Sequence, residues 1–163
     1  MLSRKINLEN LITEEDKKKI KKCSSLLSEA YNLCLDSLRD EIDYKKINLI
    51  TKEFSKQNKI HSKVTQNTGR ECINAVKSYL TLKKKDPTAR FPKNYRKYSP
   101  IIMDINLQKK ISKKDESIHY NIGGGFSLYD KHIKIPFLNI ISKNIPQIKP
   151  IPCTYPTSGL YLL

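Results

Sequence analysis

From Ile20 to Ile42 the residues Ile20, Cys23, Leu27, Ala30, Tyr31, Cys34, Leu38 and Ile42 return every three or four positions. A strand, whose side chains alternate with period two, cannot gather such a row on one side; a helix does. The row predicts one long amphipathic helix ending near Asp43. Thr13 and Asp16 stand at capping-box spacing, and Glu14, Glu15 and Asp16 suit the positive end of a helix dipole. A shorter second helix is expected over Ile47 to Asn58, with Ile47, Ile50 and Phe54 on one face. A third is expected from Ser62, with Val64, Thr68, Cys72, Ala75, Val76 and Tyr79 on one side. Gly69 falls inside it, at a cost of about 1 kcal/mol relative to alanine. A close helix crossing accounts for it, and so does a helix that merely tolerates it.

After Lys85 the helical period disappears, and Pro87, Pro92 and Pro100 punctuate the chain. Short strands are expected at Ile101 to Leu107, Ser117 to Ile122, Phe126 to Tyr129 and His132 to Pro136, with a turn over Asn121 to Gly125. "RKINL" near the start reads as another short strand. The chain closes on "SGLYLL", an apolar strand that reads as cut off ahead of a further domain.

The formal net charge is +15, from 31 Lys and Arg against 16 Asp and Glu. A polyanion is the partner such a chain favours, nucleic acid before an anionic membrane. Lysine enrichment from base composition alone would be spread evenly, and here it is not. Residues 14 to 46 hold eight bases and eight acids, whereas residues 83 to 98 hold seven bases against Asp86 alone. The stretch "ARFPKNYRKYSP" interleaves Arg90, Lys93, Arg96 and Lys97 with Phe91, Tyr95 and Tyr98. Lys83, Lys84 and Lys85 precede it. Cations neutralise phosphates and aromatic rings stack on unpaired bases, so these ten residues are the candidate RNA contacts. The plainer reading is a loop whose aromatics pack on a core while its bases face water.

Other chemistry is not supported. No stretch is apolar for long enough to span a bilayer, and "MLSRKINLEN" lacks the apolar core of a signal peptide, so a cytoplasmic protein is expected. Cys23, Cys34, Cys72 and Cys153 form no C-x-x-C pair and read as reduced, mostly buried thiols. "GGGF" lacks the Gly-Lys-Ser/Thr of a phosphate-binding loop and reads as a hairpin turn. His61, His119 and His132 and the acids Asp104, Asp115 and Asp130 make no metal or nucleophile pattern. No catalytic residues, metal or cofactor are expected.

The order of these features resembles the N-terminal part of the TnpB family, RNA-guided nucleases of insertion sequences related to type V CRISPR effectors. "EAYNLCLD" is similar to that family's helix with an aromatic-Asn-x-x-Leu pattern, matched by Tyr31, Asn32 and Leu35. "SKVTQNTGRECINAVKSY" resembles its Ser-x-Val helix through Ser62, Val64, Gln66, Ala75 and Tyr79. "ARFPKNYRKYSP" resembles its Phe-Pro segment with following bases and Tyr-Ser. "YDKHIKIPFLN" is similar to its Ile-x-Ile-Pro-x-Leu-Gly strand, with Asn139 in place of the glycine, and "SGLYLL" to its Gly-x-Tyr-Tyr strand.

The resemblance implies an α+β fold: an antiparallel OB-like β-barrel with an inserted three-helix bundle. Residues 1–12 would hold the first barrel strand, near Lys5 to Leu8, and 13–85 the helical recognition-like insertion. Residues 86–99 would be the basic-aromatic connector and 100–163 the remaining strands. It implies binding of guide-type RNA and of a short duplex DNA motif, the latter read by the third helix. On that helix Lys63, Gln66, Asn67 and Arg70 are the DNA candidates, beside Asn74 and Lys77 on the polar side. A glutamine bonds adenine at N6 and N7, so Gln66 leads. The family's nuclease acids have no counterparts before Leu163, so binding without cleavage is expected, with a separate nuclease chain or a type V effector as a further partner. The competing expectations are an unrelated, phage-encoded RNA-binding protein and an inhibitor of a type V effector.

Overall fold

The computed structural model describes residues 10–95, 97–99, 101–104, 107–111, 118–122, 126–128, 133–135, 138–142 and 159–162. Three helices come first: α1 (Glu14–Ser37), α2 (Tyr44–Asn58) and α3 (Ser62–Lys83). Seven short strands follow: β1 (Ile101–Asp104), β2 (Leu107–Ile111), β3 (Ile118–Ile122), β4 (Phe126–Leu128), β5 (Ile133–Ile135), β6 (Ile140–Ile141) and β7 (Gly159–Leu162). The chain divides into two compact units, 21–102 with 161–163 and 1–20 with 103–160. Among the described residues no helix is long and apolar enough to cross a membrane.

The helix termini follow from local chemistry. At the start of α1 the Thr13 hydroxyl accepts from the Asp16 N–H (3.1 Å), and the Asp16 carboxylate accepts from the Thr13 N–H (3.3 Å). This is the reciprocal capping box expected from the spacing. The Thr13 hydroxyl also donates to that carboxylate (2.7 Å) and holds its pKa below the usual value. α1 stops at Ser37, short of the Asp43 end expected, because Asp43 has a different task. Its carboxylate accepts from the Lys45 and Lys46 N–H groups and caps α2. Ile42 before that cap and Ile47 after it join one apolar cluster, as in a hydrophobic staple. α2 ends with Lys59 in the left-handed conformation (φ 53°, ψ 36°), and the Ile60 N–H returns to the Ser55 carbonyl at 3.1 Å.

The helical unit's core gathers Tyr31, Cys34, Leu35 and Leu38 of α1 and its following turn, Ile47 of α2, and Cys72, Ile73 and Val76 of α3. At Gly69 α3 lies tightly against α2. A methyl group there would lie 2.8 Å from Thr51 Cγ2 and 2.9 Å from Ile47 Cγ2, so the glycine serves a helix crossing. Cys23, Cys34 and Cys72 are free, buried thiols, as expected. Desolvation raises Cys23 to about 11 and Cys34 and Cys72 to about 12. Cys153 lies outside the described residues.

Among the described residues no OB-like barrel is formed, and that expectation is corrected. Strands β2-β3-β4-β5-β6 make an open antiparallel meander in chain order, and β1 pairs with β7 in a separate two-stranded sheet. In the meander β2 and β6 are opposite edges. Closure needs tilted, staggered strands long enough to pair around the whole ring. Here β4 and β5 have three residues each and β6 has two. The strand expected over Ile101 to Leu107 covers β1 and only the first residue of β2, which belongs to a different sheet and runs on to Ile111. The β3–β4 hairpin stands where expected, with Ile122 opposite Phe126. The expected strand at Lys5 to Leu8 and the glycines of the turn lie outside the described residues.

Candidate nucleic-acid interface

α3 ends in a built stop. The Lys85 and Asp86 N–H groups return to the Leu82 carbonyl, and the Asp86 carboxylate accepts from the Thr88 N–H (2.9 Å) and hydroxyl (2.7 Å) across Pro87. The Thr88 hydroxyl bond lowers the Asp86 pKa, and the Thr88 N–H bond adds to it. Lys83, Lys84 and Lys85 are exposed at this end. Cations there are favoured by the helix dipole whether or not a ligand binds. They are therefore less telling than the bases of the ribbon beyond.

Residues 91–95 and 97–99 form no helix, and their contacts are with α1 and α3. Phe91 packs against the helical core, meets Tyr79 edge-on (centroids 5.3 Å apart) and carries the Arg39 guanidinium over its ring at 5.7 Å. Lys83 Nζ lies 5.4 Å from the Tyr79 centroid. Tyr95 meets Tyr31 edge-on at 4.6 Å, and burial raises the pKa of both phenols, Tyr31 to about 12. The backbone is held by α1. The Asn32 side chain accepts from the Tyr95 N–H (2.9 Å) and donates to the Tyr95 carbonyl (3.0 Å), as a neighbouring strand would. The Ser28 hydroxyl also donates to that carbonyl (3.4 Å). The Ser24 hydroxyl donates to the Ser99 carbonyl (2.5 Å), and the Ser99 N–H donates to the Ser24 carbonyl (3.1 Å).

Both readings of the ribbon thus hold some residues. Phe91 turns to the core, and one edge of Tyr95 is committed to Tyr31 although 38% of the residue remains exposed. Arg90, Lys93 and Lys97 face solvent, and Tyr98 is 45% exposed with Lys97 Nζ 5.3 Å from its centroid. Arg96 lies outside the described residues.

On α3, Lys63, Arg70, Asn74 and Lys77 are exposed and Gln66 is half-buried. Asn67 departs from the expected polar face. It is 3% exposed, and its carbonyl oxygen accepts from Arg70 Nη1 at 3.4 Å. By helical spacing Asn67 shares the side of Lys63, Arg70 and Asn74, but its burial withdraws it from the exposed surface.

Charge is partitioned between the elements. Residues 44–97 hold fifteen bases and three acids, and every described base among them is exposed. In contrast, bases of α1 and its end meet acids one turn away: Lys17 with Glu14 (2.6 Å), Lys19 with Glu15 (3.1 Å) and Arg39 with Asp36 (3.2 Å). Among the described residues no three of His, Cys, Asp and Glu gather as a metal site requires. Tyr44, which sequence reasoning passed over, is also an exposed aromatic beside a base, with Lys77 Nζ 5.1 Å from its centroid. Its signal was weak because the two residues are distant in sequence. No protein-family model, curated protein or solved structure matches the chain.

Proposed function

We propose that this protein binds RNA through the α3 end and the ribbon. The supporting observation is the partition of charge: α2, α3 and the ribbon carry twelve of the fifteen net positive charges, all on exposed side chains where described. Phosphates attract such a surface from any sequence, and the attraction is salt-dependent because condensed counterions are released. In the TnpB-like form of this reading, the RNA is guide-like and the activity is binding without cleavage, in the cytoplasm. Lys63, Gln66 and Arg70 of α3 then meet a short duplex DNA motif. Base pairing would read the target while the protein reads shape and a flanking motif.

The test is titration with a transposon-end RNA across a salt series. Replacing Arg90, Lys93 and Lys97 by alanine weakens binding by about 1 to a few kcal/mol and flattens the salt slope. Unchanged affinity and slope remove the ribbon from the interface. For the duplex role, Gln66→Ala flattens preference among randomised flanks, by about 1–3 kcal/mol at one position. An unaltered preference removes α3 as the reader.

A further inference from the structure

Two anchors hold the ribbon to α1, and their spacing is informative. Tyr95 is fastened at Asn32 and Ser99 at Ser24. Eight helical residues separate the α1 anchors, about 12 Å of rise. Four residues separate the ribbon anchors, so this stretch is tied to α1 at both ends, and the chain bends at Lys97. Tyr95 packs on Tyr31 and Ser99 is buried, so the α1 side is occupied. Tyr98, just past that bend, is the more exposed of the two ribbon tyrosines, with Lys97 beside its ring.

We infer that Tyr98 is a stacking position for an unpaired base of single-stranded RNA, and that Asn32 and Ser24 are positioning residues that hold it ready. The inference rests on the RNA-binding reading above and sharpens it. A ring on an unanchored loop would have to be ordered at the moment of binding, and a segment fastened at both ends reduces that cost. Lys97 supplies charge at the same point, so one base and a neighbouring phosphate can be met together. Phe91, packed into the helical core, is assigned no stacking role.

The experiment compares a labelled single-stranded oligouridine with its abasic counterpart, which has the same sugar-phosphate chain without bases. The proteins are wild type, Tyr98→Ala, Asn32→Ala, Asn32→Asp and Ser24→Ala. Each is also followed by thermal unfolding and by amide hydrogen exchange at Tyr95 and Ser99. The wild type should prefer the base-bearing strand by roughly fivefold to a hundredfold, as one stacked base implies. Tyr98→Ala should abolish that preference. Asn32→Ala should speed exchange at Tyr95 and lower the preference at least several-fold, while affinity for the abasic chain and its salt slope stay unchanged. Asn32→Asp keeps the acceptor for the Tyr95 N–H but loses the donor to its carbonyl, so an intermediate loss is expected. If Asn32→Ala does not fold, Asn32→Asp and Ser24→Ala carry the comparison. Binding of neither polymer by the wild type would overturn RNA binding itself. Equal binding of both would leave the charge reading standing and overturn the stacking role. Faster exchange with an intact base preference would overturn the positioning role of α1.

Discussion

α1 and α3 are long helices of similar length, each with a polar row beside its apolar one, and the two rows meet different fates. On α1 the row is Ser24, Ser28 and Asn32, and the chain's own ribbon lies on it, hydrogen-bonded through the N–H and C=O groups of Tyr95 and Ser99. On α3 the row is Lys63, Arg70, Asn74 and Lys77, all exposed. Side-chain chemistry accounts for the difference. Short neutral hydroxyl and amide groups offer a donor and an acceptor at fixed reach, which suits a peptide backbone. Long ammonium and guanidinium groups only donate and keep their charge hydrated, so they suit water or an anion. A polar helix face is thus not one category: its residue types indicate whether the fold or a ligand uses it.

The comparison breaks most sharply on the buried side of α3. Gly69→Val should place methyl groups against Thr51 and Ile47 and destabilise the helical unit by about 1–3 kcal/mol, read from urea unfolding. Unchanged stability would mean that the crossing is looser than the 2.8 Å approach implies. The next test uses one residue type on both helices. Asn32→Ala removes two bonds to Tyr95 and should cost about 1–2 kcal/mol, whereas Asn74→Ala on the exposed row of α3 should stay within about 0.5 kcal/mol. Equal effects would erase the distinction between the rows.

A third test addresses the core that both helices share. Cys34 and Cys72 have their thiol pKa raised from 9.0 to about 12 by burial, so the folded chain keeps protons that the unfolded chain releases. Their contribution is full below the unfolded value near pH 9.0 and is lost as pH climbs through the folded value of about 12. The urea midpoint should therefore fall progressively across that window. Replacing both thiols by alanine should lower stability at neutral pH and flatten the alkaline fall; an equally steep fall would assign it to other groups. The smallest effect is expected between the helices. Lys59→Gly relieves a left-handed backbone on a residue with a Cβ and should raise stability by up to about 1 kcal/mol in the same assay.

Much of the helical unit was legible from spacing. The capping box at Thr13 and Asp16 and the start of α3 at Ser62 both follow from local rules, and both are present. The end of α1 was misplaced because Ile42 continues the helical period, yet Asp43 caps the next helix and Ile42 packs from outside α1. β2 was missed beyond Leu107 because Gln108, Lys109 and Lys110 weaken the strand signal. Within the candidate site, the bases of the ribbon could be chosen from sequence, but the division among its aromatics could not. Phe91, Tyr95 and Tyr98 are similar residues in one short stretch, and only the surfaces of α1 and α3 distinguish them.

What the sequence by itself determined is local or additive: helix periodicity, terminal caps and the concentration of charge between residues 44 and 97. Each depends on neighbours within a turn or on a sum over residues, so no distant partner is needed. What only the tertiary structure decided is which residues meet across long separations. Asn32 and Tyr95 are sixty-three positions apart, and their pairing turns a basic loop into a strap. Gly69 became a contact point because α2 lies against it, and Asn67 is buried although its spacing places it among exposed polar residues. The strands became an open meander and a separate pair because pairing is chosen between segments, and a strand's own residues do not specify its neighbour.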